Sequence, residues 1–368
     1  MEKFPAEPLA HQRRPRGALP RPGARFKPEE VFLMNKKFNL AIIMSCFMVC
    51  GLFMTGLAGA AEKPIIIRVA HIEAEDRSTH KSLLKFKEYV EKESNGRLDV
   101  QIFPNGLLGG DKESIEGVEL GTVQMSLPAV SVLASYDEKF GLLDMPFLFK
   151  SEEAIFNALD NEIGQDYDKT LDKLGFHNLG YNYNGPRCLS NNTRPINEPA
   201  DLKGLKIRVM QSPVFIDMFN ALGANPTPMS FGEIFTGLQQ GTVTGQENAP
   251  SLTYASRFYE VQKYYSITNH TFSIMAILMN KDFFNDLPAD LQEIMTRGAD
   301  EYLIKYQRGL ESSETADYIK LLADAGMEIT YITPENHQKF VEAVQPVYTK
   351  NKPKIGEELF TIVEKYNK

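Results

Sequence analysis

The sequence predicts an exported α/β protein of two domains. Three observations carry that reading. The chain has 368 residues, room for about two domains of roughly 100–200 residues each. The part after residue 60 opens strand–helix–strand–helix–strand, and its second half repeats this grammar around a new set of apolar residues. With 43% hydrophobic and 24% charged residues, the composition is that of an ordinary globular chain, and either half is long enough to bury its own core.

The first sixty residues read as an address. Met34-Asn35-Lys36-Lys37 is a short basic start, residues 38–57 are apolar and uncharged, and Ala58-Gly59-Ala60 is a small-x-small cleavage signal. This is the order of a secretory signal peptide, so an exported protein cleaved after Ala60 is expected. The length of the apolar run raises an uncleaved membrane anchor as the rival. Lipidation at Cys46 or Cys50 is weaker, since neither sits in a good lipidation box. Residues 1–33 are rich in Pro and Arg and have no apolar period. Their place upstream of a complete signal suggests that translation starts at Met34.

The elements then follow in order. Residues 64–72 form a β-branched run, read as a buried strand. Ser78 is the expected cap of a helix whose Leu83, Phe86 and Val90 share one face, and Asn95-Gly96 ends it. Residues 98–102 alternate as a second strand. The Gly-rich loop 104–111 ends on Asp111, the expected N-cap of a helix running to Gly121, and residues 123–127 give a third strand. A βαβαβ opening implies a mainly parallel, doubly wound sheet, in which ligands sit at the carboxyl ends of strands. The loops at 71–77, 104–111 and 128–136 are therefore the ones to watch.

One helix over 151–175 leads to a strand at 176–183. Asn184-Gly185-Pro186-Arg187 reads as a turn where the chain crosses to the second domain. Residues 204–209 start a second sheet. Pro213 suits a first helical position, with Phe215, Met218 and Leu222 facing inward and Gly223 closing the helix. Ser230 and Glu233 form a capping box for a helix carrying Ile234 and Leu238, stopped by Gly241. A strand-like 242–244 precedes a polar turn at 245–250. Residues 270–280 form a long strand. Residues 288–325 are one helical stretch without internal Pro, about 57 Å if continuous, long enough to brace both domains. A strand at 327–332 and terminal helices finish the chain.

Charge and motifs exclude several functions. Residues 1–60 hold nine Lys and Arg against four Asp and Glu, so residues 61–368 carry 31 basic and 44 acidic residues, a net charge of −13. That balance excludes nucleic acid and anionic lipid as partners. It is compatible with one small anion in a local basic pocket, because fields are screened beyond about 8–10 Å. Cys188 is the single cysteine after the leader, so no internal disulfide is expected. No Cys/His cluster suggests zinc. The chain has no GxSxG, HExxH or Walker loop, and the Gly-rich stretch 105–110 lacks dinucleotide spacing. Neither enzyme activity, metal nor cofactor is expected. Cys188 and His177 as a nucleophilic pair are outweighed by a buried or surface thiol. No apolar stripe demands assembly, so a monomer is expected.

The candidate residues each carry two readings. His71, Glu73, Asp76 and His80 follow the first strand, as a solvated loop or as a loop that reaches a ligand; they lack a metal-ligand spacing. In Lys206-Ile207-Arg208-Val209, alternation buries Ile207 and Val209 and sends Arg208 to the other face. There it is a surface residue or a guanidinium fork for a carboxylate. Arg187 has the same two readings. Asn248 lies in a plain loop or offers its amide to a carboxylate or hydroxyl.

Four blocks carry a family resemblance: residues 201–208 (Asp-Leu-Lys-Gly-Leu-Lys-Ile-Arg), 222–229 (Leu-Gly-Ala-Asn-Pro-Thr-Pro-Met), 245–248 (Gly-Gln-Glu-Asn), and 258–263 with Thr268-Asn269-His270. With these the chain resembles, from about Ile65 into its last helices, the DctP family of substrate-binding proteins of tripartite ATP-independent periplasmic (TRAP) transporters. The resemblance implies a two-domain clamshell with an interdomain cleft, closing on a small organic acid and delivering it to a TRAP membrane permease. It implies domain I from residues 61–185 plus about 274–313, and domain II from 186–273 plus about 314–368. It places the carboxylate-pairing arginine at Arg208, a second basic position at Arg187, the pocket amide at Asn248 and an aromatic at Phe231. The first loop, which varies with ligand, offers Glu73, Asp76, Arg77 and His80. The third offers only Ser131 as a polar side chain. An acidic first loop suits hydroxyls, so a sugar acid such as a uronate is favoured over a C4-dicarboxylate. A ligand-presenting sensor and an enzyme acting on the same anion are the alternatives.

Overall fold

The computed structural model describes residues 63–368; the expected signal peptide, Cys46, Cys50 and the 1–33 extension lie outside the described residues. The β-branched run becomes β1 (Ile65–Ala70), parallel to β2 (Leu98–Phe103) on one side and to β3 (Met125–Ser126) on the other. Helix Ser78–Glu93 buries Leu83, Phe86 and Val90 completely. It stops where Asn95 and Gly96 take positive φ, the left-handed exit that such helix ends use. The expected parallel opening is thus present.

The second sheet is not. The remaining strands are β4 (Phe176–Asn191), β5 (Lys206–Val209), β6 (Asn225–Pro228), β7 (Gly245–Asn248), β8 (Tyr264–Asn280) and β9 (Glu328–Tyr331). They join the first three in one sheet of order β2-β1-β3-β8-β4-β7-β5-β6, with β9 paired to β8. The cause is the length of β4 and β8, which run antiparallel to each other through the whole molecule. β3 attaches at Leu278 and Met279, near the end of β8, and β7 attaches at Cys188–Asn191, near the end of β4. Because the two long strands are antiparallel, these attachments lie at opposite ends. Each end builds its own lobe, and the result is a two-lobed α/β clamshell.

The expected turn at 184–187 is a kink within β4. The register with β8 shifts between Tyr183 and Pro186, and Gly185 has φ 89°. An extra residue at a bulge bends a strand without ending it. Bulges disrupt the ladder, and side chains from elsewhere serve the backbone here. Gln307 accepts from Tyr183 N at 2.9 Å and donates to Tyr183 O at 2.6 Å. Arg308 donates to Tyr181 O at 3.0 and 2.7 Å and forks onto Asp160 at 2.9 Å.

Both residues belong to the long helix, which is continuous over residues 289–324 as Ala289–Gly298, a π-helical segment Ala299–Tyr306, and Gln307–Asp324. Glu311 of this helix accepts from Ser78 Oγ and from Ser251 Oγ, each at 2.5 Å. Ser78 starts the helix after β1, and Ser251 lies in helix Pro250–Ala255 after β7. The helix thus ties the two ends of the sheet together.

Three further expectations are corrected. Ser78 is the first helical residue and not the cap; Arg77 holds the N-cap position, which frees the Ser78 hydroxyl for Glu311. Residues 151–175 form two helices, Glu152–Leu159 and Glu162–Lys173. The break is tight enough that a Cβ on Gly164 would lie 1.8 Å from Leu159 O. Residues 245–248 are strand β7 rather than a turn, buried throughout. Gly245 permits this, since a Cβ there would lie 2.5 Å from Ser190 O on β4.

Candidate functional site

The three loops singled out by the parallel opening converge on one cavity between the lobes. Counting the open solvent at its mouth it holds about 510 Å³ of atom-free space, of which about 30 Å³ admits the centre of a water-sized molecule. Ile72 enters from the first loop, Asp111 with Lys112 and Glu113 from the second, and Ala129 and Val132 from the third. β4 contributes Asn184 and Arg187, β5 Arg208, β7 Asn248 and β8 Ser273 and Met275. Phe231, from the turn that Ser230 and Glu233 cap, closes one side and lies against Phe258.

The two arginines differ. Arg187 is buried and already paired. Its Nε donates to Glu247 Oε2 at 2.5 Å, its Nη2 to Glu247 Oε1 at 2.8 Å and to Glu247 O at 2.7 Å, and its Nη1 to Ser273 Oγ at 3.2 Å. His270 Nε2 lies 3.3 Å from the same carboxylate. Burial pushes the Glu247 carboxyl upward, but Arg187 and His270 outweigh it and hold the group below its ordinary range. Burial lowers the His270 imidazole, with Glu247 opposing. The pair therefore adds no net charge to the cavity.

Arg208 is buried without such a partner. Its Nε and Nη2 donate to Met229 O at 2.9 and 2.7 Å. Its Nη1 has no protein acceptor, and among the described residues no carboxylate lies within ion-pair distance of it. Burial, and then Arg187, draw its guanidinium down to about 10 against the pull of Glu247 and Asp111. A desolvated cation with an unused donor edge is chemically an anion receptor. Asn248 stands beside it, buried, with its Nδ2 donating to Gln246 Oε1 at 2.9 Å.

The first-loop residues are placed elsewhere. Arg77 and Glu73 are fully buried behind the cavity wall, paired at 3.0 Å. Arg77 also reaches Glu311 at 3.2 Å and donates to Asn184. Asp76 is exposed. His80 hydrogen-bonds His71 at 3.1 Å and faces an outer groove. Ser131 donates to Asp144, which also accepts from Ser212 at 2.6 Å. None of these five lines the cavity. Cys188 is buried and burial pushes its thiol up to about 11, unfit as a nucleophile at neutral pH. No group of side chains suited to a metal ion occurs among the described residues.

A cavity that presents one unpaired guanidinium between two lobes can be compared with known proteins. The model of bacterial extracellular solute-binding protein family 7, DctP, matches residues 69–354. The chain belongs to this family. Like other DctP proteins it is a TRAP solute-binding protein. It is 34% identical over 311 residues to the C4-dicarboxylate-binding periplasmic protein DctP of Rhodobacter capsulatus, covering 83% of this chain and 92% of that one. A TRAP solute-binding protein of Shewanella oneidensis with bound succinate superposes with a TM-score of 0.80 at 32% identity, over 83% of this chain and 100% of its own. The sugar-acid-binding protein DctPAm of Advenella mimigardefordensis, in complex with galactonate, gives a TM-score of 0.80 at 34% identity, over 83% and 99%.

Within this DctP chain, sequence reasoning missed Asp111, Asn184, Glu247 and Ser273. Asp111 had a visible signal: it ends a Gly-rich loop at the carboxyl end of a strand. That signal was assigned to helix capping, whereas Gly110 is the N-cap and the Asp111 side chain accepts from Ala129 N at 3.4 Å. Glu247 stands in one of the four resemblance blocks, but its pairing was hidden because Arg187 lies sixty residues away.

Proposed function

We propose that this chain captures a small organic acid in the periplasm and delivers it to a TRAP membrane permease. The observation that carries the reading is Arg208, buried in the interlobe cavity with its Nη1 unengaged and no carboxylate partner. A ligand carboxylate on this edge supplies the missing counter-charge. Asn248, Ser273 and Asn184 stand within the same cavity to read its other oxygens, and Phe231 covers it. Arg187 acts through its Nη1 edge while Glu247 keeps it neutral. Charge-assisted bonds contribute about 1.5–3 kcal/mol each, so a few of them reach the roughly −8 kcal/mol of a micromolar binder. The ligands named for the relatives, a C4-dicarboxylate, succinate and galactonate, share the carboxylate that this geometry requires. Domain I and domain II, with boundaries near 185 and 274, are the bodies that close on it, hinged where β4, β8 and the long helix pass between them.

Capture without turnover is the chemistry favoured: the cavity-lining hydroxyl of Ser230, which stands 2.7 Å from the Glu233 carboxylate, is engaged in a helix capping box. Among the described residues no helix is long and apolar enough to cross a membrane. Export through the signal at 34–60 is part of the proposal, and N-terminal sequencing of the mature protein tests it; a mature chain retaining residues 1–33 refutes a start at Met34. For capture, a thermal-shift screen of residues 61–368 against organic acids, uronates and keto acids is decisive. A ligand at 100 times its Kd stabilises by about 2.7 kcal/mol. A shift absent in Arg208→Ala supports the site, and a shift retained there removes it.

A further inference from the structure

We infer that Asp111 makes this cavity selective for hydroxylated monocarboxylates over dicarboxylates. The inference rests on the anion-capture reading and narrows it. The argument is a charge count inside the cavity. Arg187 is cancelled by Glu247. Lys112 and Glu113 are exposed at the rim with opposite signs. That leaves Arg208, the one lining cation with no carboxylate in contact, and Asp111, so the cavity has a single cation edge to offer, which matches one carboxylate. A second carboxylate has to rest against the remaining lining, where Ile72, Ala129, Val132, Leu252 and Met275 are apolar and Asn184, Asn248 and Ser273 are polar but uncharged.

The charged group left in that lining is Asp111. Its Oδ2 accepts weakly from Ala129 N at 3.4 Å, and its Oδ1 has no protein donor. A carboxylate is acceptor-only, so its open edge suits a ligand hydroxyl and repels a second ligand carboxylate. The groups facing it are Arg208 from β5, Glu73 from the first loop and Glu113 from its own helix. Burial pushes the Asp111 carboxyl up to about 7, with Arg208 opposing and both glutamates adding. The repulsion is therefore half developed at about pH 7, approaches its full size about one pH unit higher and fades below.

The experiment uses two pairs of acids matched in carbon number, D-erythronate with succinate and D-galactonate with galactarate, titrated calorimetrically at pH 8. Asp111→Asn removes the charge and keeps an oxygen for the Ala129 N–H, and its unfolding temperature checks that it is folded. In the unsubstituted protein the monoacid of at least one pair binds more tightly than its diacid. In Asp111→Asn that preference narrows by about tenfold or more, through a gain for the diacid. Arg208→Ala loses both members of the pair. A preference unchanged by Asp111→Asn, or a diacid bound more tightly in both pairs, overturns the role of Asp111 while leaving anion capture standing. Silence of a denatured and refolded sample toward all four acids overturns the capture reading and this inference with it.

Discussion

Replacing Arg208 by methionine separates binding from stability. Methionine keeps the volume and removes the charge. A ligand carboxylate then loses its buried ion pair, worth about 3–5 kcal/mol when one partner is deleted, or about 100- to 4000-fold in Kd. The ligand-free protein responds differently. In Arg208 it carries a desolvated cation whose bonds end on one carbonyl, Met229 O. Replacing buried charge with apolar side chain of similar volume is neutral or stabilising by about 1–4 kcal/mol. Stranding the Met229 carbonyl costs about 1–3 kcal/mol, so the two effects nearly cancel. The unfolding temperature of ligand-free Arg208→Met should stay within a few degrees of the parent. Arg208→Lys keeps charge but loses the planar fork that grips Met229 O and ligand together, and should weaken binding by about 10- to 100-fold. Calorimetric titration with the acid that gives the largest thermal shift, beside unfolding scans without it, reads both quantities. Binding by Arg208→Met within tenfold of the parent would refute the assignment. So would a ligand-free loss of stability on the scale of a core truncation, which would make Arg208 a structural pillar.

Glu247→Gln is the opposite case: it strands the buried Arg187 and should destabilise the ligand-free fold by about 3–5 kcal/mol, visible as a clear drop in unfolding temperature; an unchanged Tm would mean that the Arg187–Glu247 pair holds nothing together. Asp144 predicts a pH dependence. Burial pushes its carboxyl from 3.8 to about 7, against the Ser131 and Ser212 hydroxyls, so the folded state holds a proton that the unfolded chain releases. That contribution to stability is complete below about pH 4 and declines as pH rises to about 7. Relative to the parent, Asp144→Asn should gain up to about 4 kcal/mol across that window and nothing beyond it. A stability difference that stays constant from pH 4 to 8 would exclude the mechanism.

The local signals of the sequence were reliable wherever one element determines its own form. The β-branched run of β1, the face of Leu83, Phe86 and Val90, the Ser230–Glu233 capping box and the break at Asn95-Gly96 all needed only their neighbours. What could not be read depends on partners far along the chain. A bulge in β4 looks like a turn because Asn-Gly-Pro is turn chemistry; only β8, Gln307 and Arg308 make it a strand. The site divides the same way. Alternation around Arg208 correctly turned it from Ile207 and Val209, both fully buried on the other face. The acidic first loop suggested ligand contacts because Glu73 and Arg77 are adjacent in sequence to a strand end. Glu73 is instead taken up by Arg77 and Thr79, and the further partners of Arg77, Glu311 and Asn184, come from 234 and 107 residues away.

These distant partners are the reason a single arginine is proposed as the anion site. Burying charge costs several kcal/mol per ion unless it is paired and hydrogen-bonded. The fold pairs Arg77 with Glu73 and Glu311, Arg187 with Glu247, and Arg308 with Asp160. It surrounds Asp144 with two serine hydroxyls. Strand β7 shows the economy of the arrangement. Neighbouring residues in a strand face opposite ways, so Glu247 neutralises Arg187 while Asn248 is free to line the cavity. Arg208 is left as the buried cation held only by a carbonyl. In the function proposed here, a ligand carboxylate supplies the compensation that no contacting side chain gives. Closure on an anion then follows from the same rule that pairs every other buried arginine of the fold.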